Sequence, residues 1–171
     1  MSATSFKDRL LHDAQSGAWF DQTRRYMMIR PDALMGIFRR LPEPARMEAL
    51  EAFAHSIAQQ GGDSARAYVE MGGTGDKLLD VIASTAPELG WGIWAFERGQ
   101  DSIRLSVRNS PFAAGYGVAT HPVCMPIVGM IGAVSTLVMG QPMQAREIQC
   151  AAMGHETCLF EAISAGAQHG G

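Results

Sequence analysis

All three cysteines of this 171-residue chain, Cys124, Cys150 and Cys158, fall in one C-terminal window. Cys150 and Cys158 enclose seven residues that include Gly154, and Cys124 stands just before a glycine-bearing apolar segment. Thiolates are soft ligands, and three of them converging with a fourth donor would make a tetrahedral metal site. For the fourth donor the spacing leaves Glu147, His155 and His121 open. Glu147 carries a geometric condition. Positions three apart on a regular strand face opposite ways, so Glu147 joins Cys150 only across a bulge or a twist. The competing reading is three inert buried thiols, which are ordinary core residues.

The elements that must position these donors follow from periodicity. Met125–Met139 is apolar on every side and too long for a strand, so it reads as a buried helix. Gly129 and Gly132 admit a close neighbour, and Gly140 stops it. Two strands, about 143–151 and 157–164, form a closing hairpin around the Cys150–Cys158 tip. Upstream, Trp91–Glu97 and Ser102–Arg108 form another hairpin, whose second strand alternates Ile103, Leu105 and Val107 with Arg104, Ser106 and Arg108. A Gly-, Pro- and aromatic-rich loop, Asn109–Pro122, links it to the apolar helix.

The N-terminal half reads as helical. The pattern predicts a helix over Lys7–Gln15 stopped by Gly17, a strand at Tyr26–Ile29, and a helix opened by Pro31. A further helix spans Glu43–Gln60 and is ended by Gly61-Gly62, followed by a short one from Asp63 or Ser64 to Met71. The last, Lys77 to about Ala86, is capped by Asp76. The expected architecture is α+β: an antiparallel sheet from the two hairpins, joined by the Tyr26 strand, packed against helices. One domain covers 1–171, with a helical half at about 1–88, hairpins, apolar helix and metal site at about 89–165, and a frayed tail at Gly166–Gly171.

An aromatic set precedes or frames the cysteines: Trp91, Trp94, Phe96, Phe112 and Tyr116, with Met130 and Val134 on the apolar helix. Such residues line a hydrophobic chamber for a flat or aliphatic molecule, or they simply fill the core. The Gly72–Lys77 run is not a phosphate loop, because Leu78 follows Lys77 where Ser or Thr is required and a helix precedes it. His55 reads as structural. No nucleophile-elbow pattern appears, so no hydrolase chemistry is supported and the reading leans away from an enzyme. A net charge of −3, with Lys7 and Lys77 the two lysines among 14 basic residues, disfavours nucleic acid. The start of the chain lacks the apolar run of a secretory signal, and the longest apolar segment is short for a bilayer span. Reduced thiols and an odd cysteine count point to the cytoplasm.

The residues Asn109-Ser110, His121-Pro122-Val123-Cys124, Ile127-Val128-Gly129 and Glu147-Ile148-Gln149-Cys150 through Thr157-Cys158 resemble the 4-vinyl-reductase domain family. The likeness is greatest to sensor domains of phenol- and toluene-type transcription activators. It covers about 105–162 closely and the helical half in outline. The resemblance implies a structural zinc held by Cys124, Glu147, Cys150 and Cys158, a fold shared with vesicle-tethering subunits, and a homodimer. It implies a hydrophobic ligand (aromatic, lipid-like or tetrapyrrole) near Trp94, Phe96, Phe112, Tyr116, Met130 and Val134, in a free-standing sensor or carrier. The alternatives are an accessory factor of bacteriochlorophyll synthesis, either a tetrapyrrole carrier or a 4-vinyl-reductase-type protein, and a protein-interaction subunit. No nicotinamide or flavin fingerprint accompanies the motif. Met125 follows Cys124, where the sensor members carry an aromatic residue.

Overall fold

The computed structural model describes residues 5–70, 73–164 and 166. The chain begins with a single helical turn, α1 (Phe6–Arg9), and a small antiparallel sheet of β1 (Leu11–Asp13), β2 (Ala18–Asp21) and β3 (Arg24–Tyr26). This corrects the expected Lys7–Gln15 helix. Asp13 accepts from the Gln15 N–H at 2.9 Å and the Ser16 hydroxyl at 2.5 Å. That local turn competes with a helix, and Gly17 completes it at φ 64°. Leu11 then pairs with Phe20 and His12 with Trp19. The Tyr26 strand is corrected too. It ends at Tyr26, pairs with β2 and does not join the main sheet, because β2 supplies its partner (Trp19 opposite Tyr26).

Pro31 at the first turn opens α2 (Pro31–Arg40), which turns Met35 and Phe38 inward and leaves Ile37 exposed. Next comes α3 (Ala45–Glu70), 26 residues without a break. The expected stop at Gly61-Gly62 and the separate helix after it are thereby corrected; Met71 lies outside the described residues. These glycines serve packing instead. A Cβ on Gly61 would come within 2.6 Å of the Met130 side chain, and one on Gly62 would lie 3.5 Å from the Ala133 Cβ. Tertiary contact outweighs the roughly 1 kcal/mol that each glycine costs a helix interior. The helix α4 (Gly75–Glu88) starts from Thr74, so the expected Asp76 cap is corrected; Asp76 lies in the first turn and pairs with Arg98 at 2.5 Å.

The main sheet contains β4 (Ile93–Arg98), β5 (Ser102–Arg108), β6 (Met143–Gln149) and β7 (Cys158–Ser164), in the antiparallel order β4-β5-β7-β6. The two sequence-predicted hairpins are therefore joined through the β5–β7 pairing. Within the expected loop stands a short helix, α5 (Pro111–Tyr116). Ser110 is its N-cap and Pro111 its first residue, a signal the sequence carried. The apolar helix α6 (Met125–Met139) ends at Gly140 with φ 67°.

The core lies on one face of this sheet. Ile103, Leu105 and Val107 of β5 and Cys158, Phe160 and Ala162 of β7 are fully buried, as are Ile127, Ile131 and Val134 of α6. Alternation on the strands and helical spacing on α6 place these residues against one another. The far side of α6 carries α3, so close that any side chain at Gly129 would strike the Ala54 carbonyl. A glycine is required there for steric reasons. The opposite face of the sheet is polar, with Glu161 paired to both Arg104 and Arg146. The tail from 167 to 171 lies outside the described residues, and so does the expectation about it.

Candidate metal centre

Four elements deliver the four donors. Cys124 is the N-cap residue of α6, immediately before Met125 and Pro126. Glu147 lies on β6, opposite Phe160, on the core face. Beyond it the β6–β7 register shifts: Glu147 pairs with Phe160 and Gln149 with Leu159, so two residues of β6 are spent against one of β7. Ile148 is the extra residue of a β-bulge. Ile148 and Gln149 both face outward, and Cys150 returns to the interior. The condition that spacing imposes on Glu147 is met by this bulge. Cys150 then enters a 3-10 turn, Ala151–Met153, and Gly154 at φ 93° sends the chain back to Cys158 at the start of β7.

The ligand atoms of Cys124, Glu147, Cys150 and Cys158 all lie within 4.8 Å of one another, and all four residues are buried. The Cys124 sulfur is 3.9 Å from that of Cys150 and 3.7 Å from that of Cys158. A disulfide would bring sulfurs to about 2.05 Å, so these are free thiols. A regular tetrahedron with zinc–sulfur arms of about 2.3 Å has edges of about 3.8 Å. The observed separations bracket that value. Neither His121 nor His155 belongs to the cluster: His155 is exposed, and His121 is half-buried with its Nε2 buried and without a hydrogen-bond partner.

The electrostatics of the cluster favour a cation. Glu147 Oε2 accepts from the Cys124 N–H at 2.9 Å, whereas Oε1 is buried with no hydrogen-bond partner. Burial, and then the negative sulfur of Cys150, push this carboxyl up to about 8. Hydrogen bonds from the Cys124 and Cys158 thiols hold Cys150 well below the ordinary thiol value. By the same contact, the hydrogen bond to Cys150 drives Cys124 far above it. Without a cation the cluster thus carries little more than one negative sulfur. A divalent ion would bind the thiolate and carboxylate forms and release protons. Three thiolates and a carboxylate fill a tetrahedral shell, so the centre would be closed, with no position left for water.

The six expected chamber residues are found in or against the core. Trp94, Phe112, Tyr116 and Val134 are buried; Phe96 and Met130 are half-buried. The rings touch in series: Phe96 to Trp94 at 6.0 Å, Trp94 to Trp91 at 6.3 Å, Trp91 to Phe112 at 5.1 Å, and on through Phe53 to Phe38. None of the six lines either of two open grooves. One groove, about 390 Å³, lies between α3 and α6, floored by Gly129, Gly132 and Ala133, with His55 and Glu51 lining it. His55 is exposed there, outside the core. The other, about 490 Å³, runs between α5 and the 3-10 turn past Ser110, Ala114, Ala152 and Met153. Sequence reasoning missed Ser110 as a neighbour of the cluster: its hydroxyl lies 3.3 Å from the Cys124 sulfur.

Residues 103–164 match the 4-vinyl-reductase domain family. No curated protein matches the chain. Among solved structures, the phenol-responsive sensory domain of the transcription activator PoxR, determined with phenol, is similar at a TM-score of 0.77 and 19% identity, over 94% of this chain and 87% of that one. Subunit 3 of the trafficking protein particle complex from Naegleria fowleri, covalently bound to palmitic acid, is similar at a TM-score of 0.55 and 10% identity, covering 78% and 93%. A vinyl-4-reductase family protein from Methanocaldococcus jannaschii matches at a TM-score of 0.47 and 14% identity, covering 80% and 96%. The fold is thus shared with a ligand-sensing domain and a trafficking subunit.

Proposed function

With residues 103–164 belonging to the 4-vinyl-reductase domain family, we propose that the chain is a zinc-stabilised binding domain for a hydrophobic or aromatic small molecule, acting as a cytoplasmic sensor or carrier. The observation that carries the metal half of this reading is the closed set of four buried donors, with sulfur separations that suit a tetrahedral ion. The ligand half draws on the fold shared with a domain solved with phenol and on the ring series that runs from Phe96 to Phe38. The metal would be structural: it fastens the start of α6 to both strands of the closing hairpin, which together wall the core. Trp94, Phe96, Phe112, Tyr116, Met130 and Val134 remain the proposed ligand contacts, and the assembly is proposed to be a homodimer.

Native mass spectrometry of the freshly purified protein reads metal, bound molecule and subunit count together. We expect one zinc per chain, and a rise in melting temperature with at least one member of a panel of phenols, fatty acids and tetrapyrroles. Zinc-free protein, or a flat response to the whole panel, overturns the corresponding half. One observation favours the interaction-subunit alternative. The chamber residues are packed together in the core, while Leu11, Met27 and Met28 are 67–78% exposed. A partner protein recovered with a chain that holds no small molecule would support it.

A further inference from the structure

Beyond the four donors, we infer that Ser110 is a positioning residue for the metal centre, its hydroxyl donating a hydrogen bond to the Cys124 thiolate. The inference rests on the metal reading above and concerns a side chain outside the ligand set. The main chain turns out of β5 through Asn109 at φ 59°, which delivers Ser110 to the base of α5. There Ser110 is 2% exposed, and its oxygen lies 3.3 Å from the fully buried Cys124 sulfur. The same oxygen accepts from the Ala113 N–H at 3.5 Å as the N-cap of α5. An oxygen engaged as acceptor on one side keeps its proton for the other, and the neighbouring sulfur is the acceptor available to it.

The need for such a donor follows from charge. Three thiolates, a carboxylate and a divalent ion sum to a net charge of about −2 in a buried site. The structure meets this with dipoles: the Ala151 N–H points to the Cys158 sulfur at 3.3 Å, the Cys124 N–H to Glu147, and the Ser110 hydroxyl to Cys124. Two of these donors are backbone and survive any substitution. Ser110 is the one that a mutation removes. Hydrogen bonds to a metal-bound ligand fix its orientation and tune the ion it holds.

The test loads the full chain with cobalt(II), whose sulfur-to-metal charge-transfer band reports the thiolates. Ser110→Ala and Ser110→Gly should shift that band and speed metal loss to a chelator about 10- to 100-fold. Ser110→Thr, which keeps the hydroxyl, should behave as wild type. Glycine is tolerated at an N-cap, so Ser110→Gly separates the hydroxyl from the cap if Ser110→Ala folds poorly. Loss of the cap alone would lower the melting temperature equally with and without metal; the proposed bond requires a larger fall in the metal-bound form. Wild-type spectrum and release rate in both variants overturn the inference. Wild-type protein that takes up no cobalt overturns the metal reading itself, and this inference with it.

Discussion

The β6–β7 hairpin carries one key glutamate on each face, and the two are held in opposite ways. On the outer face Glu161 sits between Arg146 and Arg104, at 3.1 and 3.2 Å, and these pairings hold its carboxyl below the usual range. On the inner face Glu147 has one backbone N–H, three sulfurs for neighbours and an oxygen without a partner, and its carboxyl rises to about 8. One carboxylate is content as an anion in water beside cations. The other becomes an anion only if a cation is brought to it. The same strand pair thus serves as an ordinary solvated surface on one side and as half of a metal cage on the other. The bulge at Ile148 is what places Cys150 with Glu147 on the cage side.

The strongest way to break this contrast is to remove an inner donor. Cys158→Ala should abolish metal binding, reducing metal content from one ion to less than about 0.1 per chain. It should destabilise the protein by more than about 4 kcal/mol, because structural metal binding is folding free energy. Metal analysis and thermal melting read both, and a variant that retains its metal would refute the cage.

Deleting Ile148 should come next. All four donors remain, but without the bulge Glu147 and Cys150 face opposite sides, so metal binding should be lost. Ile148→Ala, at a partly exposed site, should keep the metal and cost less than about 1 kcal/mol. Equal metal content in the two variants would show that the bulge does not set the site.

The two glutamates should also give opposite pH signatures. In metal-free protein the raised Glu147 holds its proton in the folded state at pH values where the unfolded chain has released it. Its contribution therefore falls as pH rises from about 4.5 toward 8. Glu147→Gln should flatten that slope in chemical denaturation at several pH values. The lowered Glu161 works the other way: its stabilisation is present above the ordinary glutamate value and lost as pH falls through its depressed one.

The smallest effect is expected from Glu161→Gln. Exposed arginine partners and solvent screening limit it to under about 1 kcal/mol, diminished further by salt, with metal content unchanged. A loss of metal in this variant would show that the two faces are coupled.

Much of the fold was legible in the sequence. The Met125–Met139 helix, its Gly140 stop, the Pro31 start and both hairpins rest on periods and caps that lie within a few residues of one another. So does the possibility of a thiolate cluster, since the cysteine spacing brackets a single turn. The small N-terminal sheet was hidden because Asp13 and Gly17 form a turn inside what reads as a short amphipathic helix. The continuous α3 was hidden because Gly61 and Gly62 look like a terminus until Met130 and Ala133 are seen against them.

By itself, then, the sequence determined which residues have chemistry to offer and which short segments are helix or strand, because those signals are local. The tertiary structure alone decided the rest: that Glu147 rather than a histidine stands with the three sulfurs, that Ile148 bulges to put it there, and that Ser110 reaches Cys124 from another element. Each depends on register and approach between segments far apart in the chain, where one residue of slip reverses every side chain on a strand.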